Sequence, residues 1–324
     1  MIVHTNKLVK NYKYLCAMAP NSKIAPVVKS NCYGFGMNPL SLILWDCGAR
    51  TFFVASIEEG IELRILLPEA KIIILNGFFE KNIILYEKYK LIPSVCTVNS
   101  NIPFSLPIWL HFDMGLNRTG IKPDEGNLWK NFYQTHNIQG IMAHTRHLNH
   151  LSVTDEEITH VVNFLSSFPM EKSYAASSLL QHERAHLDII RPGVALYFGQ
   201  FSPLSNIAEC FSILIDRKSV KKGENIGYGH KYIASDSMEI GIVDIGYAEG
   251  ITMNHNMVEI NGCLCPVVGS VSMNMMTVDI SKISDCPIGT RVNLFPGGLW
   301  DFAMQLGIRP MVITARLHVE RTYM

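Results

Sequence analysis

The chain has 324 residues, of which 48% are hydrophobic, and its 28 lysines and arginines balance its 28 aspartates and glutamates. This length exceeds that of one average domain and allows large buried cores. The formal net charge of zero gives no indication of nucleic-acid binding or of attraction to an anionic membrane surface.

The cysteine pattern and the N-terminus predict a cytoplasmic protein. Eight cysteines are scattered along the chain without a CxxC pair, and Cys263-Leu-Cys265 is too tightly spaced for a zinc knuckle. Free thiols in a reducing compartment are the simpler interpretation. The N-terminus lacks the apolar core of a signal peptide. No stretch approaches the ~20 apolar residues of a membrane-spanning helix.

Short apolar runs alternate with helical patterns in the first part of the chain. The runs that we interpret as strands are residues 24–28, 51–55, 71–75, 92–98, 109–112 and 138–143, a weak run near 174, and 187–190. Amphipathic stretches at 56–66 and 155–165 predict helices. About eight strand–helix repeats predict a parallel (β/α)8 barrel, with an open doubly wound sheet as the alternative. Barrel active sites lie at the carboxyl ends of strands, where Lys29, His144 and Arg191 fall.

Beyond Gln200 the pattern changes to short segments rich in Val, Ile, Thr and Tyr, separated by Gly and Asn turns. The predicted strands are residues 212–215, 239–245, 257–260, 265–268, 275–280, 291–295 and 312–319. Glu259-Ile-Asn-Gly262 is a hairpin signal. The sequence therefore predicts two domains, a barrel over residues 1–203 and a mainly β domain over residues 204–324.

Lys29 ends the apolar run in Ile24-Ala-Pro-Val-Val-Lys-Ser-Asn-Cys-Tyr-Gly-Phe-Gly36. Burial is unfavourable for a lysine cation and lowers its pKa, which suits the residue to Schiff-base chemistry. Gly34 and Gly36 allow the backbone to approach a ligand closely. The alternative is a lysine whose charged end reaches solvent from a strand terminus.

His182-Glu-Arg-Ala-His186 matches the HExxH pattern of zinc proteases, which on a helix places both histidines on one face. With only three fixed positions, the pattern arises often by chance. Arg191-Pro192-Gly193 would break such a helix soon afterwards, and Glu209 is the only nearby downstream candidate for a third ligand. We therefore predict no metal site.

Seven segments, in order, resemble the motifs of the alanine racemase family. The first is the Lys29 segment, which resembles the lysine motif that binds pyridoxal 5′-phosphate. The other six are Ile108-Trp-Leu-His-Phe-Asp-Met-Gly-Leu-Asn-Arg-Thr-Gly120, Gly140-Ile-Met-Ala-His144, Ala176-Ser-Ser178, Arg191-Pro-Gly-Val194, Ile245-Gly-Tyr-Ala-Glu-Gly250 and Val268-Gly-Ser-Val-Ser-Met273. Each motif alone is moderately specific, whereas seven in order are hard to obtain by chance. The resemblance implies the same layout, an N-terminal barrel and a C-terminal β domain.

The resemblance also implies two catalytic residues. Lys29 would hold the cofactor and act on the Cα proton of the D enantiomer, and Tyr247 would act on the opposite face. Because a free tyrosine has a pKa of about 10, Tyr247 needs cationic help. The family arrangement provides His144 and Arg191, the latter at the pyridine nitrogen. An arginine cannot accept a proton from the ring. The ring then stays largely neutral, which weakens it as an electron sink and should suppress transamination.

Further binding residues are implied in the same way. Arg118 would bind the substrate carboxylate, and Met273 belongs to a substrate-side loop. The cofactor phosphate would be bound by four groups: the hydroxyls of Tyr33 and Ser178 and the backbone N–H groups of Gly193 and Val194.

Four positions depart from the family pattern. His111 stands where many members have a lysine that becomes carbamylated beside the substrate arginine, and a histidine cannot form that carbamate. Ser177 replaces the usual asparagine, Asn274 the usual acidic residue, and Leu317 a tyrosine that contacts the phosphate in some members. These changes bear on the preferred amino acid, cofactor affinity and turnover, and on how Arg118 is oriented.

The activity implied by the resemblance is interconversion of L- and D-alanine for peptidoglycan synthesis. Because Lys29 and Tyr247 fall in different predicted domains, the family's head-to-tail homodimer with shared active sites is also expected. The substrate is a small molecule, and neither nucleic acid nor a membrane is an expected partner. The alternatives are a racemase for serine or several amino acids, a protein that binds the cofactor with little turnover, and, more distantly, a zinc hydrolase.

Overall fold

The computed structural model describes residues 1–98, 101–124, 126–148 and 150–324. The chain forms two compact units. One comprises Leu8–Ser205, and the other comprises Met1–Lys7 together with Asn206–Met324. In the described residues, no helix has both the length and the apolar composition that a membrane span requires.

Parallel strands form the centre of the unit Leu8–Ser205. They are β1 (Lys23–Ile24), β2 (Thr51–Val54), β3 (Lys71–Ile74), β4 (Ile92–Val95), β5 (Ile108–Phe112), β6 (Ile138–Ala143), β7 (Glu171–Ser173) and β8 (Ile189–Ile190). Strands β2 to β7 pair in chain order, and β1 pairs with β8. Parallel bridges from Val27 to Phe53 and from Ala176 to Arg191 join these two groups and close the barrel. The predicted barrel is confirmed, and the open doubly wound sheet is excluded.

Right-handed helices lie between or beside these strands. They are Thr5–Met18, Met37–Asp46, Ile57–Leu66, Ile83–Lys88, Gly126–Thr135, Asp155–Ser166 and Val194–Phe198. Both predicted amphipathic helices are confirmed. They begin after the N-cap residues Ser56 and Thr154, whose hydroxyls accept hydrogen bonds from the third residue of each helix.

The barrel interior is filled by side chains, which leaves the strand ends as the place for a site. Trp109 is fully buried there, and its ring meets the Phe53 ring edge-on at a centroid distance of 5.7 Å. A Cβ on residue 140 would lie 2.4 Å from the Trp109 ring, so that only Gly140 fits beside it. The interior is thus a packed core of the kind expected for such barrels.

The second unit is mainly antiparallel β structure. Its six-stranded sheet has the spatial order Cys263–Pro266, Met257–Ile260, Arg291–Asn293, Phe211–Val220, Met238–Val243 and Met276–Asp279. A smaller sheet places Ile2–Val3 between Ala208–Glu209 and Thr322–Tyr323. The predicted hairpin is confirmed, because Asn261 and Gly262 turn the chain with φ values of 50° and 77°.

The predicted strand at residues 312–319 is wrong. This stretch overlaps the helix Pro310–Thr314, which follows another helix, Leu299–Gln305. Pro310 occupies the start of its helix, where its fixed φ and missing N–H are tolerated. A short apolar run such as Met311-Val-Ile313 does not distinguish a strand from a helix by periodicity.

Candidate active site

Lys29 begins a left-handed helical turn, Lys29–Tyr33, just beyond β1. The four residues that follow it, Ser30, Asn31, Cys32 and Tyr33, have φ values of 51°, 53°, 51° and 57°. Left-handed backbone costs a residue with a side chain about 1–2 kcal/mol. Several such residues in succession persist only where the surroundings fix them, and such strain is concentrated at functional sites.

Basic side chains gather near Lys29 at the carboxyl ends of the barrel strands. Burial and the nearby Arg118 guanidinium lower the pKa of Lys29 from its usual value, and only Glu59 opposes them. Burial, then Arg191 and Arg118, lower the pKa of His111 to about 4. Burial and the same two arginines also lower the pKa of His144 to about 3. Both histidines are therefore neutral near pH 7, and this strand end is rich in positive charge.

Arg191 is a buried cation in this cluster. It is 4% exposed and follows β8 directly. Its Nη2 donates to the Ala143 carbonyl at 2.7 Å, Nη1 donates to the Ser173 hydroxyl, and the guanidinium lies over the Phe53 ring. Within the described part of the chain, no carboxylate forms an ion pair with it. Because a buried cation without a counter-charge is unfavourable, the site suits an electron-rich or anionic ligand.

The loop that carries Arg118 is organised by Asp113. One carboxylate oxygen of Asp113 accepts hydrogen bonds from the backbone N–H groups of Gly115 at 3.1 Å and Asn117 at 3.0 Å. Asn117 has a left-handed φ of 54°, which turns the chain just before Arg118. The Arg118 side chain is exposed at this end of the barrel.

His111, which departs from the family pattern, is buried on β5. Its Nδ1 lies 3.8 Å from the sulfur of Cys96, a residue that sequence reasoning did not single out. Burial raises the pKa of the Cys96 thiol, while hydrogen bonding to Ser94 and Thr119 and the charge of Arg118 oppose that rise. A neutral histidine and a half-buried thiol thus lie near Arg118, where many family members have a carbamylated lysine.

The residues predicted to bind a phosphate lie close together. The Tyr33 hydroxyl packs so tightly on Gly193 that a Cβ at that position would lie 2.1 Å from it. The Ser177 hydroxyl accepts hydrogen bonds from the backbone N–H groups of Gly193 and Ala195, both at 3.1 Å. Ser178 is the next residue, and Val194 begins the helix Val194–Phe198. Sequence reasoning identified Ser178 but missed that Ser177 bonds to the Gly193 N–H group.

Tyr247 and Met273 lie in the second unit, and hydrogen bonds join their two loops. Tyr247 begins a 3₁₀ turn, Tyr247–Glu249, and its N–H donates to the Ser272 carbonyl at 3.1 Å. The next residue, Ala248, donates to the Met273 carbonyl at 2.8 Å. Tyr247 is 43% exposed and Met273 is 57% exposed, so that both side chains are accessible on this unit.

The structure explains why position 274 has an asparagine in place of the usual acidic residue. Its side-chain nitrogen donates to one Glu249 carboxylate oxygen at 2.6 Å, while the other oxygen accepts from the Gly246 N–H at 2.8 Å. An acidic residue at 274 would repel this carboxylate instead. The asparagine therefore ties the tyrosine loop to the Met273 loop through Glu249.

The HExxH segment does not form the helix that its zinc-binding geometry needs. A 3₁₀ turn, Glu183–Ala185, lies between its histidines. The Nε2 atoms of His182 and His186 are hydrogen-bonded to the backbone carbonyls of His150 and Leu180. The candidate third ligand, Glu209, is bonded to His4. The described ranges contain no group of three or more side chains that could hold a metal ion.

Comparisons with known proteins identify the family. The profile described as "Alanine racemase, N-terminal domain" matches residues 3–200, and "Alanine racemase, C-terminal domain" matches residues 207–323. The chain belongs to the alanine racemase family. This confirms the family resemblance that the sequence indicated.

Alanine racemases of known sequence and structure match nearly the whole chain. The alanine racemase of Photobacterium profundum is 30% identical over 92% of this chain and 90% of its own length. That of Pasteurella multocida is 32% identical over 89% of this chain and 87% of its own. The crystal structure of alanine racemase from Bartonella henselae with covalently bound pyridoxal phosphate has a TM-score of 0.92 at 25% identity, covering 100% of this chain and 98% of its own. That of the biosynthetic alanine racemase from Pseudomonas aeruginosa has a TM-score of 0.90 at 27% identity, with the same coverage.

Proposed function

We propose that this protein interconverts L- and D-alanine, using pyridoxal 5′-phosphate as cofactor and Lys29 and Tyr247 as its two bases. The observation that carries the proposal is the half-buried Lys29, whose pKa is lowered by burial and by Arg118 at the mouth of an alanine racemase barrel. A lowered pKa increases the neutral fraction of the amine, and a neutral amine can act as a nucleophile and as a base.

The residues present fit the cofactor. Arg191 is a buried cation without a carboxylate partner in the described residues. Because Gly193 has no Cβ, the Tyr33 hydroxyl can lie against its backbone. We propose that Lys29 holds the cofactor covalently and that Arg191 and His144 contact its ring side. Its phosphate would be bound by four groups: Tyr33, Ser178, the Val194 N–H group and the Gly193 N–H group, which would leave the Ser177 hydroxyl to do so. Bound there, the cofactor would acidify the Cα–H of an amino acid by delocalising the negative charge left at Cα.

The chain's own residues then have separate tasks. Arg118 binds the substrate carboxylate and fixes which faces of Cα are presented. Lys29 exchanges a proton with Cα on one face, and Tyr247 exchanges a proton on the other, which makes the reaction reversible in both directions. Because a guanidinium does not give up its proton, Arg191 would hold the ring nitrogen by a hydrogen bond without protonating it.

We also propose a head-to-tail homodimer with two shared active sites. Tyr247 and Met273 are exposed on the β unit of one chain, where they are available to the barrel of a second chain. In the cell, the product D-alanine would supply peptidoglycan synthesis in the cytoplasm, as the family resemblance implies. A preference for serine or for several amino acids is the alternative, because His111 changes the surroundings of Arg118.

The experiment that tests this function is a racemisation assay of the purified chain supplied with pyridoxal 5′-phosphate. L- and D-forms of alanine, serine and a panel of other amino acids are followed separately. The proposal predicts that alanine is racemised from both enantiomers and is the best substrate. A protein that binds the cofactor on Lys29 but racemises none of the panel would contradict the function, and serine as the best substrate would favour the alternative.

A further inference from the structure

We propose that Glu59 is a positioning residue for Lys29, because its carboxylate fixes the left-handed turn that begins at the lysine and supplies an opposing negative charge. This inference rests on the proposed function of Lys29. Glu59 lies in the first turn of the helix Ile57–Leu66, which follows β2. The sequence signal for it is a Ser-x-x-Glu capping box at Ser56, which by itself indicates only a helix start.

The hydrogen bonds of Glu59 extend beyond its own helix. One carboxylate oxygen accepts from the Ser30 N–H at 2.6 Å, and the other accepts from the Ala55 N–H at 2.7 Å. The bond back to the N-cap Ser56 N–H is the longest of the three, at 3.4 Å. The two short bonds therefore join the residue after Lys29 to the end of β2, which a helix cap does not require.

These bonds hold the strained part of the backbone. Ser30 is the first of the four left-handed residues, and the Glu59 carboxylate is the acceptor for its N–H group. Further along the turn, the Asn31 side chain accepts from the Met37 N–H at 2.6 Å. Without the carboxylate, Ser30 could relax toward right-handed or extended backbone. Lys29 would then move, and displacements of about 1 Å at a reacting group can cost on the order of 100-fold in rate.

Glu59 also acts on Lys29 by its charge. Burial and Arg118, from the loop after β5, lower the lysine pKa, and Glu59, from the helix after β2, raises it. His144, at the end of β6, is close enough for Lys29 to lower the histidine pKa. Of these groups, Glu59 alone favours the cationic lysine. Removing its charge should move the lysine titration to lower pH.

Two substitutions separate the charge from the geometry. Glu59→Gln removes the charge and keeps the length of the side chain, whereas Glu59→Asp keeps the charge and withdraws the oxygens by one methylene. Glu58→Gln is the matched control, because Glu58 precedes it on the same helix, is exposed and does not bond to Ser30. Each full-length variant is mixed with pyridoxal 5′-phosphate across a pH series, and borohydride-trapped Lys29 is quantified by mass spectrometry. Thermal unfolding and kcat and KM for alanine are measured in parallel.

In Glu59→Gln, borohydride trapping of Lys29 should reach half of its maximum at a lower pH than in the wild type. Glu59→Asp should keep the wild-type midpoint, and both variants should lose on the order of 10- to 100-fold in kcat with a smaller change in KM. Glu58→Gln should match the wild type in each measurement. A wild-type midpoint in Glu59→Gln overturns the charge role, and a wild-type kcat in Glu59→Asp overturns the positioning role even if Glu59→Gln does not fold. Wild-type protein that traps no cofactor on Lys29 would instead refute the proposed function itself.

Discussion

The Tyr33 hydroxyl and Gly193 are in such close contact that a Cβ on residue 193 would lie 2.1 Å from the hydroxyl oxygen. Tyr33 is the last residue of the left-handed turn that begins at Lys29, and Gly193 immediately precedes the helix Val194–Phe198. The contact therefore couples the position of the lysine turn to the proposed phosphate site. Neither residue can move independently of the other.

Gly193→Ala should weaken cofactor binding. The φ of Gly193 is −129°, a value open to alanine, so that the effect comes from the collision with Tyr33. Overpacking typically costs 1–3 kcal/mol, which corresponds to about 5- to 150-fold in affinity. Titration of apoprotein with pyridoxal 5′-phosphate measures the change. Because both residues act through one contact, Tyr33→Phe combined with Gly193→Ala should be non-additive; additive effects, or an unchanged affinity in Gly193→Ala, would contradict this account.

Borohydride treatment of the cofactor-loaded protein should leave a covalent adduct on Lys29. Because its pKa is lowered, Lys29 has a larger fraction of neutral amine at a given pH than an ordinary surface lysine. Lys29→Ala should abolish the adduct and the activity. Lys23→Ala is the control, because the Lys23 side chain is 68% exposed and pairs with Glu171. An adduct on any other lysine of the wild-type protein would show that the assignment is wrong.

Tyr247→Phe should retain the cofactor and lose racemisation. Loss of a general base commonly costs on the order of 10²–10⁴-fold in rate. Steady-state kinetics with L- and D-alanine, together with the visible spectrum of the bound cofactor, test both parts of the prediction. Tyr89→Phe, which changes a tyrosine at the end of the helix Ile83–Lys88, should behave as the wild type. Wild-type turnover in Tyr247→Phe would exclude the tyrosine as a base.

Chelators should leave the activity unchanged. The Nε2 atoms of His182 and His186 are already bonded to backbone carbonyls, so that the HExxH pattern offers no ready ligand pair. Metal analysis of the purified protein and assays after dialysis against a chelator test this expectation. If metal analysis found one zinc ion per chain in the wild type and none in His182→Ala, the zinc hydrolase hypothesis would be supported instead.

The folded protein should lose stability as the pH falls from about 6.5 toward 4. The pKa values of His111 and His144 are lowered to about 4 and about 3, below the usual value of 6.5, so that the unfolded chain takes up protons before the folded chain does. Each such histidine reduces the free energy of unfolding by up to ~1.4 kcal/mol per pH unit in this window. Denaturant unfolding at several pH values measures the slope. His111→Gln should flatten it, and an unchanged slope would contradict the lowered pKa.

Much of the fold could be predicted because the sequence patterns that indicate its strands, helices and turns are local. Alternation of apolar runs and amphipathic stretches defined the barrel, and the Asn261-Gly262 turn defined a hairpin. The helix Pro310–Thr314 was missed because a short apolar run has no distinctive period. The left-handed turn after Lys29 was also not predicted, since residues with side chains reach this conformation only when tertiary contacts hold them there.

The site could be predicted only as a set of residues. The order of the motifs identified Lys29, Arg118 and Arg191, but the effect of Arg118 on the pKa of Lys29 depends on a distance that no sequence pattern contains. Glu59 was overlooked because a capping box is a local explanation, and its bond to Ser30 joins residues 29 positions apart. Contacts of this kind between strand ends become visible only in the folded barrel.

Lys29 and Tyr247 are proposed to act on one substrate from two different chains. The decisive measurement mixes inactive Lys29→Ala and Tyr247→Phe proteins under conditions of subunit exchange. A head-to-tail heterodimer has one site with both substitutions and one wild-type site, so that racemisation of alanine should return, to at most half of the wild-type activity per heterodimer. Subunit exchange demonstrated without any return of activity, or a fully active monomer, would contradict the claim.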